Sequence, residues 1–522
     1  MSATFIGEHR FDASLPDFSQ RGVETLLATM RSALAESAVA EAESPTEALD
    51  LRLARGYLKT QIWEFESQHF HRGNPSLYCG EALFGILSLY LTEYAPLAER
   101  AEAAEARLRA IPRLLEEGRA NVRRTPRPWT ERALRECRGA LLFLEEGIES
   151  LPRTKLALAS AASGAARAFK TWQDALEQLP DSAEVACGEE ALRLYLEEGH
   201  FLQESPREIA AYAEDELAAA KAALAAHARD FGAATPEEAL GRLQSLHATP
   251  EAYAGQFAEV WALAREAGRD LVTWPESPIR FTPLPGWARA VAPHVYFLPY
   301  RSPSAWGRPP VHDVWIPPLE ESLSAAEKER LLCANNDSVV KLNYVVHHGG
   351  LGHHVQNARA SSCPSRIGRV AGIDCASRIA FFSGGTMAEG WACYATDLMS
   401  EAGFLTPLER YAETRTRARM CARAVADVRL HLGEWTLEET ALHYVREAGM
   451  SSEAALAEAV KNSMFPGAAL MYVMGRDAIQ RLRLELSSRP GFTLRGFHDE
   501  LLSYGSVPVA LVAEMMRSAD AH

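Results

Sequence analysis

Eleven of the chain's 28 prolines fall between Trp274 and Leu319, and no other feature limits the fold as sharply. Proline lacks the backbone N–H, and its ring clashes with the carbonyl four residues back, so this segment cannot carry long helices. The strips VYFLPY and VHDVWIP within it read as short strands or extended runs. Trp274, Trp287, Tyr296, Tyr300, Trp306 and Trp315 add too much apolar area for a solvated tether, so the segment is expected to pack. On both sides the texture is helical. In LAERAEAAEARLRAIPRLLEEGRANV, residues Leu97, Ala101, Ala104 and Leu108 fall on one stripe, with Pro112 expected to kink or divide the helix. Further helix starts are expected at Ser205 with Pro206 and at Thr249 with Pro250. The fold class is therefore mainly α, with a minor extended insert between two helical halves. The chain is expected to be one domain over 1–522, comprising a helical scaffold over 1–268, the extended insert over 269–320 and a second helical part over 321–522. That second part is interrupted at Gly384, Gly385, Pro407, Gly433, Pro466, Pro490 and Gly505.

Charge and cysteine usage narrow the function classes. The 522 residues carry 54 Lys and Arg against 69 Asp and Glu, a formal charge of -15, which on average repels a phosphate backbone or an anionic bilayer. No nucleic-acid or membrane partner is expected. Eight Cys are scattered without a CxxC pair, as reduced thiols in a reducing compartment would be. No secretory signal or membrane-spanning apolar run is visible, so the cytoplasm is the expected location. An acidic helical surface permits a homodimer without requiring one.

Four of the 16 His residues lie in one eight-residue window, His347, His348, His353 and His354, within NYVVHHGGLGHHVQN. Neutral imidazole is the commonest metal ligand, and such a cluster outside a tag or polar tract calls for a reason. On a regular helix of about 100° per residue, His347 and His353 would point to different sides. The backbone between them must be distorted, and Gly349, Gly350 and Gly352 are the residues that permit it. A metal site with an open position commonly takes two His and a carboxylate. Glu389, in the apolar run SGGTMAEGWACYATDLMSEAG, is the candidate, because a carboxylate there is costly without a partner. Asp427 and His431 stand four apart on ARAVADVRLHL, with Arg423 one turn earlier, and share a face. Cys375, near Asp374 and Arg378, reads as a structural thiol rather than a nucleophile.

The pair HHGGLGHHVQ and AEGWACYA resembles the HExxPGHHxQ and EGWALYxE pair of the large bacterial domain-of-unknown-function family 885, grouped with the gluzincin-type zinc metallopeptidases. FDASLPDFS, RLRAIPRLLEEGRANV, RAVADVRLHLGEWTLEETALHYV, PGAALMYVMGRDAIQRLR and FHDELLSYGSVPV resemble segments of that family in the same order, so the likeness covers nearly the whole chain. It implies two helical lobes around a deep cleft and a zinc-dependent hydrolase acting on an amide or peptide-like bond of a small molecule or short peptide. By the resemblance, His347, His353 and Glu389 are the expected ligands, and His354 is an alternative ligand or a supporting partner. His431 is expected to bind substrate or an oxyanion, with Asp427 orienting it, and Tyr472 to donate a hydrogen bond to a developing oxyanion.

Three positions depart from the family pattern. The Glu that follows the first motif His, the expected general base, is His348 here; the motif Pro is Leu351; and the Gln of the PGQA segment is Ala468. His348 takes the place of the base or becomes a further ligand, which would change the metal preference from zinc toward iron or manganese. Two alternatives therefore stand beside the hydrolase: a lyase or non-haem iron enzyme, and a non-catalytic descendant that binds a ligand in the old cleft.

Overall fold

The computed structural model describes residues 2–151, 157–289, 291–295, 300–306, 311–373 and 378–518. Helices account for most of them, as the periodicity predicts. Ser205 begins the helix Pro206–His227 with a reciprocal cap to Glu208, and Thr406 does the same with Glu409 for Pro407–His431, each satisfying donors that a helix start leaves open. Three expectations shift. The helix Leu97–Asn121 runs through Pro112 undivided, and the start expected at Thr249 falls at Tyr253, because the Thr249 carbonyl closes a tight turn with the Ala252 and Tyr253 amides. Gly384 and Gly385 do not interrupt the helix Arg378–Glu401. A Cβ on Gly384 would lie 2.7 Å from the Ala371 carbonyl oxygen and one on Gly385 2.5 Å from Met471 Sδ, so they are contact residues rather than breakers.

Three strands form one small sheet in the proline-rich insert: β1 (Ile279–Pro283), β2 (Tyr300–Arg301) and β3 (His312–Ile316), in the order β1-β3-β2. β3 pairs in parallel with β1, Phe281 opposite Val314, and antiparallel with β2, Tyr300 opposite Val314. VHDVWIP is thus the central strand. Of VYFLPY, residues 296–299 lie outside the described residues, as do Asp374 and Cys375. Alternation along β3 joins two apolar cores. Trp315 packs with Trp287 in the core of the N-terminal helices, whereas Val314 and Ile316 enter a second core with Phe257, Val345 and Trp391.

A third core joins the helix Pro206–His227 to Pro407–His431. The packing therefore crosses the division of the sequence near Gly268: residues 192–243 and 411–474 share one interior. Trp129 ties the N-terminal part to the C-terminal part, donating from Nε1 to Ser463 Oγ at 2.8 Å.

Candidate metal centre

The segment Val340–Gly349 is a π-helix, a rare form often found at functional sites. It ends in a reversal through Gly350 and Leu351, and a new helix, His353–Ala360, starts at the second pair of histidines. The Gly350 amide donates to the Val345 carbonyl, and the Gly352 amide to the Val346 carbonyl at 3.0 Å. None of Gly349, Gly350 and Gly352 has a positive φ; what they provide is room. A Cβ on Gly352 would stand 1.9 Å from the His347 carbonyl oxygen and one on Gly350 2.8 Å from that of Val345. The six-residue spacing, wrong for one helix face, is thereby closed by a break between two helices. The rings of His347 and His353 are 4.9 Å apart, and His348 lies 4.8 Å from the first and 5.3 Å from the second.

Glu389 comes from the helix Arg378–Glu401. Its Oε2 lies 3.3 Å from His347 Nε2 and 3.7 Å from His353 Nε2. That oxygen is closed off from solvent and meets no donor in hydrogen-bonding alignment among the described residues. Two nitrogens and one oxygen at ordinary zinc distances in a tetrahedral arrangement would lie about 3.3 Å apart, so the donor set and its spacing fit a divalent cation. Ligand atoms of His347, His348 and His353 also all fall within 4.8 Å of one another. The side chains of His347 and Glu389 keep 18% and 20% of their exposure.

The two residues after Glu389 explain why the carboxylate is here. Gly390 crosses Gly475 of the helix Met471–Leu486 so closely that a Cβ on it would lie 2.5 Å from the Gly475 carbonyl carbon. Trp391, fully buried, donates from Nε1 to the Leu351 carbonyl at 2.8 Å. From the opposite side, Trp261 Nε1 donates to the Gly349 carbonyl at 3.2 Å. Two indoles thus hold the turn that carries the histidines.

Electrostatically, burial favours neutral His347 and His348 beside a charged carboxylate. Burial works to raise Glu389, but His347 and His353 outweigh it and hold the carboxyl well below its ordinary range. Burial lowers His347, and it lowers His348 much further, with the neighbouring His347 and His353 adding to the effect. Metal ligation requires the same protonation state.

Of the remaining sequence candidates, His354 faces away: its ring packs edge-on against His312 of β3 at 4.5 Å and Trp261 at 6.1 Å. His353 is therefore the histidine of that pair that meets Glu389. Asp427 and His431 approach to 3.7 Å on one helix face, yet both are engaged elsewhere. Asp427 accepts from the amides of Gly467, Ala469 and Leu470 at 3.0, 2.8 and 3.2 Å. His431 donates from Nε2 to the Asn462 carbonyl at 3.0 Å and accepts at Nδ1 from the Cys187 amide at 3.4 Å. Together they brace the loop containing Ala468. Arg423 pairs with Glu458 at 2.7 Å and lies 5.1 Å over the ring of Tyr472. Sequence reasoning missed Trp261 and Trp391, which hold the turn. Only Trp391 carried a signal, its place beside Glu389; Trp261 becomes relevant through packing alone.

The sequence pattern that defines a family described as bacterial protein of unknown function (DUF885) matches residues 1–516. No curated protein matches the chain. Among solved structures, a candidate lipoprotein of unknown function from Shewanella oneidensis superposes with a TM-score of 0.77 at 19% identity, over 99% of this chain and 96% of that one. A candidate lipoprotein from Colwellia psychrerythraea gives 0.78 at 17% identity, over 99% and 95%. At these identities the likeness is one of fold. No described helix is long and apolar enough to cross a membrane.

Proposed function

The chain belongs to the DUF885 family, and from that premise we propose that it is a zinc-dependent hydrolase acting on an amide or peptide-like bond of a small substrate. The observation that carries this reading is the approach of His347 Nε2 and His353 Nε2 to 3.3 and 3.7 Å from one oxygen, Glu389 Oε2. These three residues would hold the ion. The chemistry supplied by zinc at such a site is Lewis acidity toward a carbonyl oxygen and a more acidic water. His348 stands where the gluzincin pattern has its Glu, and its imidazole takes a proton from the attacking water and passes it to the leaving amine. Tyr472, beneath the Arg423 guanidinium, hydrogen-bonds the oxyanion, and Asp427 and His431 hold the 467–470 loop in place for it. The protein acts in the cytoplasm on short substrates.

Elemental analysis of the purified protein beside Glu389→Ala and His348→Ala variants, with turnover of short peptides and acylated amino acids, tests this. About one zinc per chain, lost with Glu389→Ala and kept with His348→Ala while turnover falls, is the expected result. The mutual spacing of His347, His348 and His353 favours a second reading in which His348 is a further ligand, and metal lost with His348→Ala would select it. Iron in place of zinc, with oxygen uptake, would replace the hydrolase by a non-haem iron enzyme. A protein that takes up no metal would be a ligand-binding descendant.

A further inference from the structure

A second group of metal-ligating residue types lies outside the candidate centre. His247 comes from the loop between the helices Pro236–Gln244 and Tyr253–Ala267. Glu329 and Cys333 stand four apart on the helix Ala325–Ala334 and so share a face. His247 Nε2 lies 3.2 Å from Glu329 Oε1, and Cys333 Sγ lies 3.7 Å from the same oxygen. Ligand atoms of the three all fall within 4.8 Å of one another. Around a tetrahedral zinc ion, nitrogen and oxygen ligands stand about 3.3 Å apart, and sulfur and oxygen ligands about 3.6 Å. Two of the three edges thus have nearly the lengths that zinc requires.

The imidazole is also turned for ligation. Its Nδ1 lies 3.0 Å from the Ala248 carbonyl, which only accepts, so Nδ1 carries a proton and Nε2 of the neutral ring offers a lone pair toward Glu329. A lone pair facing a carboxylate oxygen at 3.2 Å calls for a cation between them. The Ala248 carbonyl first, and then Glu329 and Asp337, favour positive charge at this ring against the opposing effect of burial. A proton satisfies two of the three ligand atoms, whereas a metal ion satisfies all of them.

We propose that His247, Glu329 and Cys333 form a second metal site, which takes zinc or a cation of similar softness and leaves the fourth position to water. Imidazole and thiolate select such cations over magnesium or calcium. On binding, the Cys333 S–H bond breaks, the sulfur keeps the electron pair as a thiolate ligand and the proton leaves to water. Because the thiol must give up that proton and Glu329 is exposed, the site holds its ion less tightly than the more sheltered centre at Glu389 and fills on titration rather than during purification. Its role is that of a staple. The Asp337 amide donates to the Leu246 carbonyl at 2.8 Å, joining the residue before His247 to the short helix Asp337–Val339, which leads into the π-helix carrying His347. A metal across His247 and Cys333 adds a second link beside that one. The site shares no ligand with the first centre and does not depend on the hydrolase reading.

Titration of the metal-stripped protein with cobalt(II), followed by absorption, tests the site, because a thiolate ligand gives cobalt a charge-transfer band that imidazole and carboxylate ligands do not. The variants are Cys333→Ser, His247→Gln and Glu389→Ala, each with a metal-free melting curve that matches the parent. The band is expected to saturate at about one cobalt per chain in the parent and in Glu389→Ala. It should vanish in Cys333→Ser, need at least about tenfold more cobalt in His247→Gln, and disappear when zinc is added. No band, a band that persists in Cys333→Ser or under zinc, or an unchanged titration in His247→Gln overturns the site. The two readings fail separately. A band with no cobalt lost in Glu389→Ala keeps this site and removes the hydrolase; cobalt lost in Glu389→Ala, with no band in the parent, does the reverse.

Discussion

The indole of Trp391 donates a 2.8 Å hydrogen bond to the carbonyl of Leu351, linking the helix that carries Glu389 to the turn between His348 and His353. Both partners are fully buried or nearly so. The bond explains how a backbone reversal rich in glycine, flexible by composition, is held in one conformation. It also shows why Leu351 serves where the family pattern has Pro: the contact uses the carbonyl, which every residue has.

Trp391→Phe keeps most of the packing and removes the donor, leaving the Leu351 oxygen buried without it. We expect a stability loss of about 1–3 kcal/mol and metal affinity lower by about tenfold or more, since groups that orient ligands typically matter on that scale. Denaturant unfolding and a competition titration with a metal indicator measure the two. Unaltered metal affinity would remove the indole from any part in setting up the site.

Gly352→Ala should displace a ligand through the backbone. The added Cβ would stand 1.9 Å from the His347 carbonyl oxygen, so the end of the π-helix must move and the His347 ring with it. Metal uptake is expected to fall at least about tenfold, while the far-UV circular dichroism stays helical. Gly241→Ala is the matched control: nothing lies within 4 Å of its Cβ, and in the helix Pro236–Gln244 it should stabilise by about 0.5–1 kcal/mol. Equal metal binding in the two variants would contradict the account of the turn.

Stability should fall as pH drops from about 7 to 5. Burial pushes His200 and His498 down to about 4 and His431 to about 3, and lowers His312 well below its ordinary value. Below about 6.5 the unfolded chain binds protons on these residues that the fold refuses, so unfolding takes them up. Asp427 and Glu413 act in the opposite sense. Burial raises them to about 7 and 8, so between about 4 and 7 the fold keeps protons that the unfolded chain releases. Burial draws His71 and His354 down to about 4 as well, so the depressed histidines outnumber the two raised carboxyls and unfolding takes up protons on balance across that window. Urea midpoints across the window read this slope, and Asp427→Asn, which removes one opposing group, should steepen it. A flat profile would mean that these histidines are not held neutral.

Much of the architecture is legible in the order of the residues. The helical stripes, the cap at Ser205 and the proline-rich break set where helices run, because capping, propensity and proline sterics act within a few residues. The identities of His347, His353 and Glu389 are legible too, since few residue types bind metal and a carboxylate in an apolar helix needs a partner. Pro112, Gly384 and Gly385 show the limit. Read locally they are breakers, but packing on Ala371 and Met471 turns the two glycines into contacts, and the helix around Pro112 continues.

Tertiary structure alone decided which histidine of the second pair meets Glu389. Six residues separate His347 from His353 and seven separate it from His354, and neither spacing maps onto a helix face once the chain reverses between two helices. The choice depends on Trp261 and Trp391 fixing the turn and on β3 placing His312 against His354, contacts made between segments far apart in sequence. Sequence thus determined the chemical groups and the local helices, through short-range forces. Their convergence on one oxygen was decided by long-range packing, which no local pattern encodes.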